Sequence, residues 1–187
     1  MKIIDNFLSK SYYNNILELL SGFKTGDSHQ SFFEFPWEYH ANVTGDHHGV
    51  HFRGYGFSHS FAVTVGGPVG KYGTYIQPLL YQIMDIANCD HVLRARADMV
   101  TWTAKEEFIH PAHTDFPFPN KAAVFYINES DGDTIFYNIK PKDVPKDKDL
   151  KEYDRVSPKP NRVVIFDGDL LHTGCSPTKH KNRIIIN

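Results

Sequence analysis

The chain has 187 residues, of which 41% are hydrophobic and 22% charged, and its formal net charge is -2. This length and composition predict a single globular domain over residues 1–187 and exclude a second large domain. A net charge so close to zero argues against a nucleic-acid coat or a membrane-surface peptide. We therefore expect neither nucleic acid nor a membrane as a partner.

The cysteines and the N-terminus indicate a cytoplasmic protein. Two cysteines, Cys89 and Cys175, fit a reduced interior better than a secreted disulfide scaffold. Asp5 interrupts the apolar run that a signal peptide would continue, and no stretch approaches the roughly 18 apolar residues of a membrane span. Eleven histidines exceed what packing usually demands, so metal chemistry has to be considered.

The N-terminal half carries two helical patterns. Ser9 or Ser11 would cap the first helix, and Gly22 would end it. Its apolar stripe consists of Tyr12, Ile16, Leu17, Leu19 and Leu20. Thr74 would cap the second helix, with Pro78 in its first turn. The apolar stripe of that helix consists of Ile76, Leu79, Leu80, Ile83, Met84 and Ala87. Between the helices, residues 24–73 predict short strands and long loops, and the histidines at 40–59 predict a solvated loop rather than a second metal site.

In the C-terminal half the hydrophobic period changes from helical to alternating. Strands are predicted at 93–100, 121–128, 134–137, 162–166 and 183–186. The charged, proline-rich segment 140–162 predicts a solvated connection, with a lid or partner-docking segment as the alternative. Strands at this spacing, with helices confined to the first half, predict an α+β fold whose antiparallel sheets form a sandwich or jelly roll.

Three side chains have the pattern of an iron(II) site. His113 and Asp115 stand two positions apart, so extended backbone projects both to one side. His172 follows an apolar strand and reaches the pair if the strands run antiparallel. Two histidines and one carboxylate on an octahedral face leave three positions open, which suits iron(II) binding a chelating cosubstrate and O2.

Arg183 is the candidate receptor for that cosubstrate. It begins the last apolar strand, eleven residues after His172. A guanidinium holds a carboxylate in a bidentate fork, which a lysine does less selectively. This spacing of four residues is far more specific than the His-x-Asp pair alone.

With these four residues the sequence resembles the iron(II)- and 2-oxoglutarate-dependent oxygenases, in particular their prolyl 4-hydroxylase-like branch. The similarity extends to Phe125–Asn128, to Asp131–Phe136 with its Gly-x-Thr-x-Phe stretch, to Pro158–Phe166 and to the opening Ile3–Ser9. Together these cover the first ten residues and most of 93–187, and they leave about 30–73 without a counterpart.

The resemblance implies a double-stranded β-helix (jelly roll) with supporting N-terminal helices. His113, Asp115 and His172 would bind Fe(II), and Arg183 would pair with the distal carboxylate of 2-oxoglutarate. The branch commonly has a tyrosine on the strand before its first ligand as a second cosubstrate contact. The nearest equivalent here is Trp102 or Thr103, and Tyr126 or Thr134 are the substitutes. Asp131 stands where the branch has the first glycine of a pair.

The implied activity is a dioxygenase that hydroxylates an unactivated C–H bond with release of succinate and CO2. A peptide or protein substrate with a peptidyl proline is the leading expectation, and a free amino acid or small-molecule metabolite is the alternative. Two rivals stay open, namely a cupin-like metal enzyme without cosubstrate and a noncatalytic jelly-roll binding module. Low-grade candidates for substrate contact are Trp37, Arg53 and Tyr55, and Arg94 and Arg96 are either surface residues or carboxylate partners.

Overall fold

The computed structural model of the chain describes residues 1–22, 35–43, 53–63, 67–68, 70–139 and 150–187. Residues 44–52 of the predicted histidine-rich loop and residues 140–149 of the charged connection lie outside these residues. The elements in the first half are β1 (Lys2–Ile4), α1 (Lys10–Ser21), β2 (Glu38–His40), β3 (Gly56–Val63), β4 (Gly67–Pro68) and α2 (Gly70–Ala87). Those in the second half are β5 (Arg94–Thr101), β6 (Phe108–Ile109), β7 (Lys121–Tyr126), β8 (Thr134–Tyr137), β9 (Glu152–Val156), β10 (Arg162–Asp167), β11 (Leu171–Ser176) and β12 (Asn182–Ile186).

Helix α1 forms where its capping residues predict it. Ser9 occupies the N-cap position, although its side chain makes no capping hydrogen bond. Gly22 ends the helix at φ 72°, a left-handed conformation that glycine adopts without steric cost. Ile16 and Leu20 are buried beneath the helix. The Tyr13 hydroxyl donates a 2.7 Å hydrogen bond to the Ile127 carbonyl and so fixes α1 to the large sheet.

Helix α2 begins five residues earlier than predicted, at Gly70 rather than after a cap at Thr74. Pro78 consequently lies inside the helix instead of in its first turn. The added turn brings Tyr72 into the ring cluster with Phe35 and His59, and this tertiary packing extends the helix beyond its sequence signal.

The strands form two antiparallel sheets that pack as a β-sandwich. The larger one runs in the order β1-β10-β7-β12-β5-β3-β2, with β4 paired to β3, and the smaller one in the order β6-β11-β8-β9. All five predicted strands are present within one or two residues of their predicted ends. The antiparallel α+β architecture predicted from the sequence is therefore confirmed, with both helices in the first half.

Three strands of the smaller sheet were not predicted, namely the two-residue β6, β9 and β11. β9 lies in the segment expected to be a solvated connection, where Val156 is buried opposite Thr134 while its charged neighbours face outward along the sheet edge. β11 carries His172, and its sequence Leu-His-Thr-Gly-Cys-Ser conceals the alternation because polar side chains also point inward. The prediction that residues 140–162 form a continuous solvated connection is therefore wrong for the last part of that segment, which contains β9.

Alternation along each strand divides the interior into two layers. One face of the larger sheet packs on the helices through side chains such as Ala95, Phe125 and Ile184. The opposite face packs on the smaller sheet, with Tyr126 and Phe136 among the shared buried residues. Within the described ranges, no helix is long and apolar enough to cross a membrane.

Candidate metal and cosubstrate site

His113 and His172 lie directly opposite each other across an antiparallel bridge. The His113 N–H donates to the His172 carbonyl at 2.9 Å, and the His172 N–H returns a 3.0 Å bond to the His113 carbonyl. The two imidazole centroids are 5.0 Å apart. Cross-strand pairing therefore brings together two side chains that are far apart in the sequence.

Both imidazoles are held in the form that binds a metal through Nε2. The Nδ1 atom of His113 is 3.1 Å from the Pro111 carbonyl oxygen, and that of His172 is 2.9 Å from the Leu170 carbonyl oxygen. A carbonyl only accepts, so each Nδ1 carries the proton and each Nε2 presents its lone pair. Burial lowers the pKa of His172 to about 4, with the His113 imidazole adding to the effect, which favours the neutral ring.

Asp115 faces both lone pairs. Its Oδ1 lies 4.0 Å from His113 Nε2, and its Oδ2 lies 4.0 Å from His172 Nε2. Burial opposes ionisation of this carboxyl, but Arg94 and the two imidazoles outweigh it, so the pKa of Asp115 is lowered. Two imidazole Nε2 atoms and one carboxylate therefore lie close together between the sheets.

The three donor groups lie close together, but they are farther apart than the ligands of a bound ion. Cis ligands of an octahedral ion with bonds of about 2.1 Å stand about 3 Å apart, so each imidazole and the carboxylate have to approach by about 1 Å. In the described part of the chain, no cluster of three such side chains already has the spacing of a bound ion. The Asp115 carboxylate instead accepts a 2.5 Å hydrogen bond from Arg94 Nη2. The donor set fits a divalent transition metal.

Arg183 lies at the other end of the same cavity. It is 5% exposed, and its Nη2 donates a 2.8 Å hydrogen bond to the Thr134 hydroxyl. Its Nε has no hydrogen-bond partner, and no carboxylate among the described residues lies within ion-pair distance of it. A buried cation without a counter-ion is unstable unless a ligand supplies the negative charge. The observation fits a carboxylate ligand in this cavity.

Close backbone approach creates the space around this guanidinium. A Cβ placed on Gly132 would lie 2.9 Å from Arg183 Cδ, and one on Gly174 would lie 3.1 Å from Arg183 Nη1. Any other residue at either position would displace the side chain. Gly132 belongs to the Gly-x-Thr-x-Phe stretch singled out in the sequence, and a Cβ there would meet the Cys175 carbonyl oxygen as well as Arg183.

Of the four candidates for a second cosubstrate contact, Thr134 lines the cavity and Tyr126 lies behind it, whereas Trp102 and Thr103 do not line it. Thr134 lines the cavity, and its hydroxyl is 2.7 Å from the buried Tyr126 hydroxyl. Trp102 is 48% exposed, and its indole N–H donates to the Thr178 carbonyl on the outer surface. Trp102 therefore does not reach the cavity, because the strand that precedes it ends at Thr101 and the chain turns outward.

The cavity has a volume of about 80 Å³ and includes residues that the sequence left undecided. Arg96 and Asp98 line it from β5, joined by a 2.8 Å ion pair, so Arg96 faces the cavity while its side chain stays 27% exposed. Burial raises the pKa of Asp98, although Arg96 partly offsets this. His110 is buried in the wall, where its Nε2 lies 3.0 Å from the Ser176 hydroxyl oxygen.

The remaining candidates have structural contacts. Arg53 bonds to the Thr103 hydroxyl and the Glu106 carbonyl and so braces the loop before β6. Asp131, which replaces a glycine of the related pattern, accepts hydrogen bonds from the backbone of Thr178, Lys179 and His180. This carboxylate holds the turn that leads into the strand of Arg183.

Comparison with known proteins bears on the fold. No protein-family model matches the chain, and no curated protein sequence matches it. Among solved structures, a Trichoplax adhaerens prolyl hydroxylase in complex with a peptide fragment of the hypoxia inducible factor oxygen degradation domain aligns with TM-score 0.58 at 16% identity. The alignment covers 99% of this chain and 80% of that one.

Two bacterial structures also align with this chain. A Pseudomonas putida prolyl-4-hydroxylase aligns with TM-score 0.52 at 14% identity over 99% of this chain and 89% of the other. An oxidoreductase of the 2OG-Fe(II) oxygenase family from Burkholderia pseudomallei aligns with TM-score 0.53 at 12% identity, over 81% and 70% of the two chains. The resemblance inferred from the sequence is thus confirmed for the architecture, and the chain has the fold of the 2-oxoglutarate- and iron(II)-dependent oxygenases and prolyl hydroxylases.

Proposed function

We propose that the protein is an iron(II)- and 2-oxoglutarate-dependent dioxygenase that hydroxylates a C–H bond. The substrate, 2-oxoglutarate and O2 are converted to the hydroxylated product, succinate and CO2. One oxygen atom enters the new hydroxyl group and the other enters succinate. The two sheets would be those of a double-stranded β-helix, formed by one domain over residues 1–187.

A single observation carries this proposal. Two imidazoles with free Nε2 lone pairs, a carboxylate and a buried guanidinium without a carboxylate partner among the described residues line one cavity between the sheets. A noncatalytic binding module has no need of such a set, and burying it would destabilise the fold without return. A cosubstrate-free metal enzyme would leave Arg183 without a ligand.

Each residue has a defined task in this reaction. His113, Asp115 and His172 would hold the iron, and the carbonyl bonds to both Nδ1 atoms keep the rings oriented. Bound iron supplies the redox chemistry that couples decarboxylation of the keto acid to oxidation of the substrate. Arg183 would bind the distal carboxylate of 2-oxoglutarate in a charge-assisted fork. The Thr134 hydroxyl orients that guanidinium, and Tyr126 orients Thr134.

The fold comparison suggests peptidyl proline as a substrate class, because two of the similar structures are described as prolyl hydroxylases and one holds a peptide. That class requires only a proline ring to reach the metal from the protein surface. A free amino acid or small metabolite is the second class, and the cavities of this chain bear on the choice below.

Succinate formation tests the proposal directly. Purified protein supplied with iron(II), 2-oxoglutarate and O2 should release succinate slowly without substrate. His113→Ala should abolish this release, whereas Arg183→Ala should be partly rescued by high 2-oxoglutarate. Arg155→Ala, a substitution in a partly exposed ion-pair network, should behave as the unmodified protein and serves as the control. Equal activity in the His113 and Arg183 variants would overturn the proposal.

A further inference from the structure

A second, larger cavity lies beside the proposed metal site. Its volume is about 380 Å³, within the range typical of small-molecule sites. It sits between α2 and the helix-facing side of the large sheet, where Ile165 and Ile186 form its floor. Its apolar wall is formed by Leu80, Ile83, Met84, Phe116 and Phe118.

Packing buries these wall residues only in part. Leu80, Ile83 and Met84 on α2 are only half-buried, and Phe118 is 46% exposed. Phe116 and Phe118 immediately follow the proposed ligand Asp115, and their rings lie 5.4 Å apart. Apolar side chains left accessible around a cavity favour an apolar ligand, because covering them removes hydrocarbon surface from water.

A guanidinium stands where this cavity meets the metal site. Arg94 lines the cavity, its side chain is 27% exposed, and it donates to Asp115 through Nη2 at 2.5 Å. Its guanidinium carbon lies 5.6 Å from the centroid of the Phe116 ring. Arginine has five N–H donors in a planar fork, so one bond to Asp115 leaves donors that can meet a second carboxylate.

The other charges at this cavity do not duplicate Arg94. Lys121 also lines it but forms an ion pair with Asp167 on the neighbouring strand. Asp90 lies on the rim and would repel an acid at that end. The charge pattern therefore places an anionic group at the Arg94 end, next to the metal ligands, and an apolar group toward α2.

We infer that the cavity binds the substrate, and that the substrate is a small carboxylic acid with an apolar body. This inference rests on the proposed function. The carboxylate would lie on the Arg94 fork and the hydrocarbon portion between α2 and the two phenylalanines. Arg94 contacts the proposed metal ligand Asp115, so a carboxylate bound to Arg94 would lie close to the metal. The carbon that is hydroxylated would therefore be near the carboxyl group of the substrate. The stoichiometry is that of the proposed function.

Octanoate is a suitable probe, with octanamide as the neutral analogue and acetate as the head without the tail. Titration calorimetry on protein loaded with iron(II) and 2-oxoglutarate under nitrogen measures binding without turnover. Octanoate should bind at least tenfold more tightly than either analogue, since a charge-assisted pair and the apolar tail both contribute. Equal binding of octanoate and octanamide would refute the carboxylate receptor.

Two variants locate the binding. Arg94→Gln should remove the preference for octanoate over octanamide, while Ile83→Trp should fill the cavity and weaken both. Arg155→Ala, in the partly exposed ion-pair network with Glu107 and Glu152, is the control and should leave succinate formation and the binding of both probes unchanged. Equal weakening of both probes by Arg94→Gln would show that Arg94 only positions Asp115, and would also overturn the inference.

Separate outcomes distinguish this inference from the proposed function. Succinate formation with no octanoate binding, or with hydroxylation of a proline peptide alone, defeats the acid substrate and leaves the oxygenase intact. Octanoate binding that depends on Arg94, with no succinate formed under any condition, defeats the oxygenase and with it the role as substrate. Mass spectrometry showing one added oxygen atom on octanoate supports both.

Discussion

Arg183→Met should stabilise the protein and lower its affinity for 2-oxoglutarate. Arg183 is a buried cation that donates a hydrogen bond to the neutral Thr134 hydroxyl and whose guanidinium carbon lies 5.7 Å from the centroid of the Tyr126 ring. Methionine has a similar length and no charge, so it fills the space that Gly132 and Gly174 leave open. The Thr134 hydroxyl keeps its 2.7 Å partner in Tyr126, so the substitution leaves no polar group unsatisfied there.

The expected magnitude follows from two opposing free energies. Desolvating the guanidinium costs several kcal/mol, and the bond to Thr134 returns about 1.5–3 kcal/mol. We expect the free energy of unfolding without 2-oxoglutarate to rise by about 1–3 kcal/mol. For a chain of this size each kcal/mol raises Tm by about 2–4 °C. Affinity for 2-oxoglutarate should fall at least about tenfold through loss of the charge-assisted pair.

Calorimetric melting without 2-oxoglutarate measures the change in stability, and melting with added 2-oxoglutarate measures the change in affinity. Arg162→Met is the matched control, because Arg162 forms an ion pair with Asp5 at 2.6 Å and its replacement should lower Tm. The two substitutions thus have opposite expected signs. If Arg183→Met lowered Tm as much as Arg162→Met, Arg183 would be a structural residue and the argument for an unmet charge would fail.

Three further results are expected. Gly132→Ala should lower stability by about 1–3 kcal/mol in urea titration, since its Cβ would lie 2.4 Å from the Cys175 carbonyl oxygen; unchanged stability would contradict the close approach. Hydrogen bonds from the 178–180 turn lower the pKa of Asp131 despite burial, so the stability it contributes is complete above its ordinary value of 3.8 and is lost as pH falls further. Asp131→Asn should therefore flatten the acid limb of stability against pH, and an unchanged limb would exclude this role. Iron(II) should raise the Tm of the unmodified protein but not of His113→Ala, because only the former binds it in the folded state; equal shifts would place the metal elsewhere.

The sequence predicted the elements whose signals are local. Helix α1 has its caps at Ser9 and Gly22, and β5 shows strict alternation from Arg94 to Asp98. The start of α2 and the strand β9 were missed because neighbours distant in the chain decide them. Tyr72 packs on Phe35 and His59, and Val156 is buried only because β8 lies beside it.

The candidate site shows the same division. The spacing of His113, Asp115, His172 and Arg183 predicted one cavity, and the structure brings all four side chains to it. The position of Trp102 did not follow from spacing, because the direction in which the chain leaves β5 depends on its contacts. Phe116 and Phe118 carried a readable signal, since two aromatic residues closely follow a proposed ligand, and it was overlooked.

By itself the sequence determined which residue types are available and on which face of each strand they project, because backbone geometry repeats locally. Tertiary structure alone decided that Arg183 lacks a carboxylate partner within the described residues, that Arg94 joins the metal site to an apolar cavity, and that both imidazoles present Nε2. Those properties depend on strand register, on burial and on the groups that happen to lie opposite, which arise only when distant segments pack together.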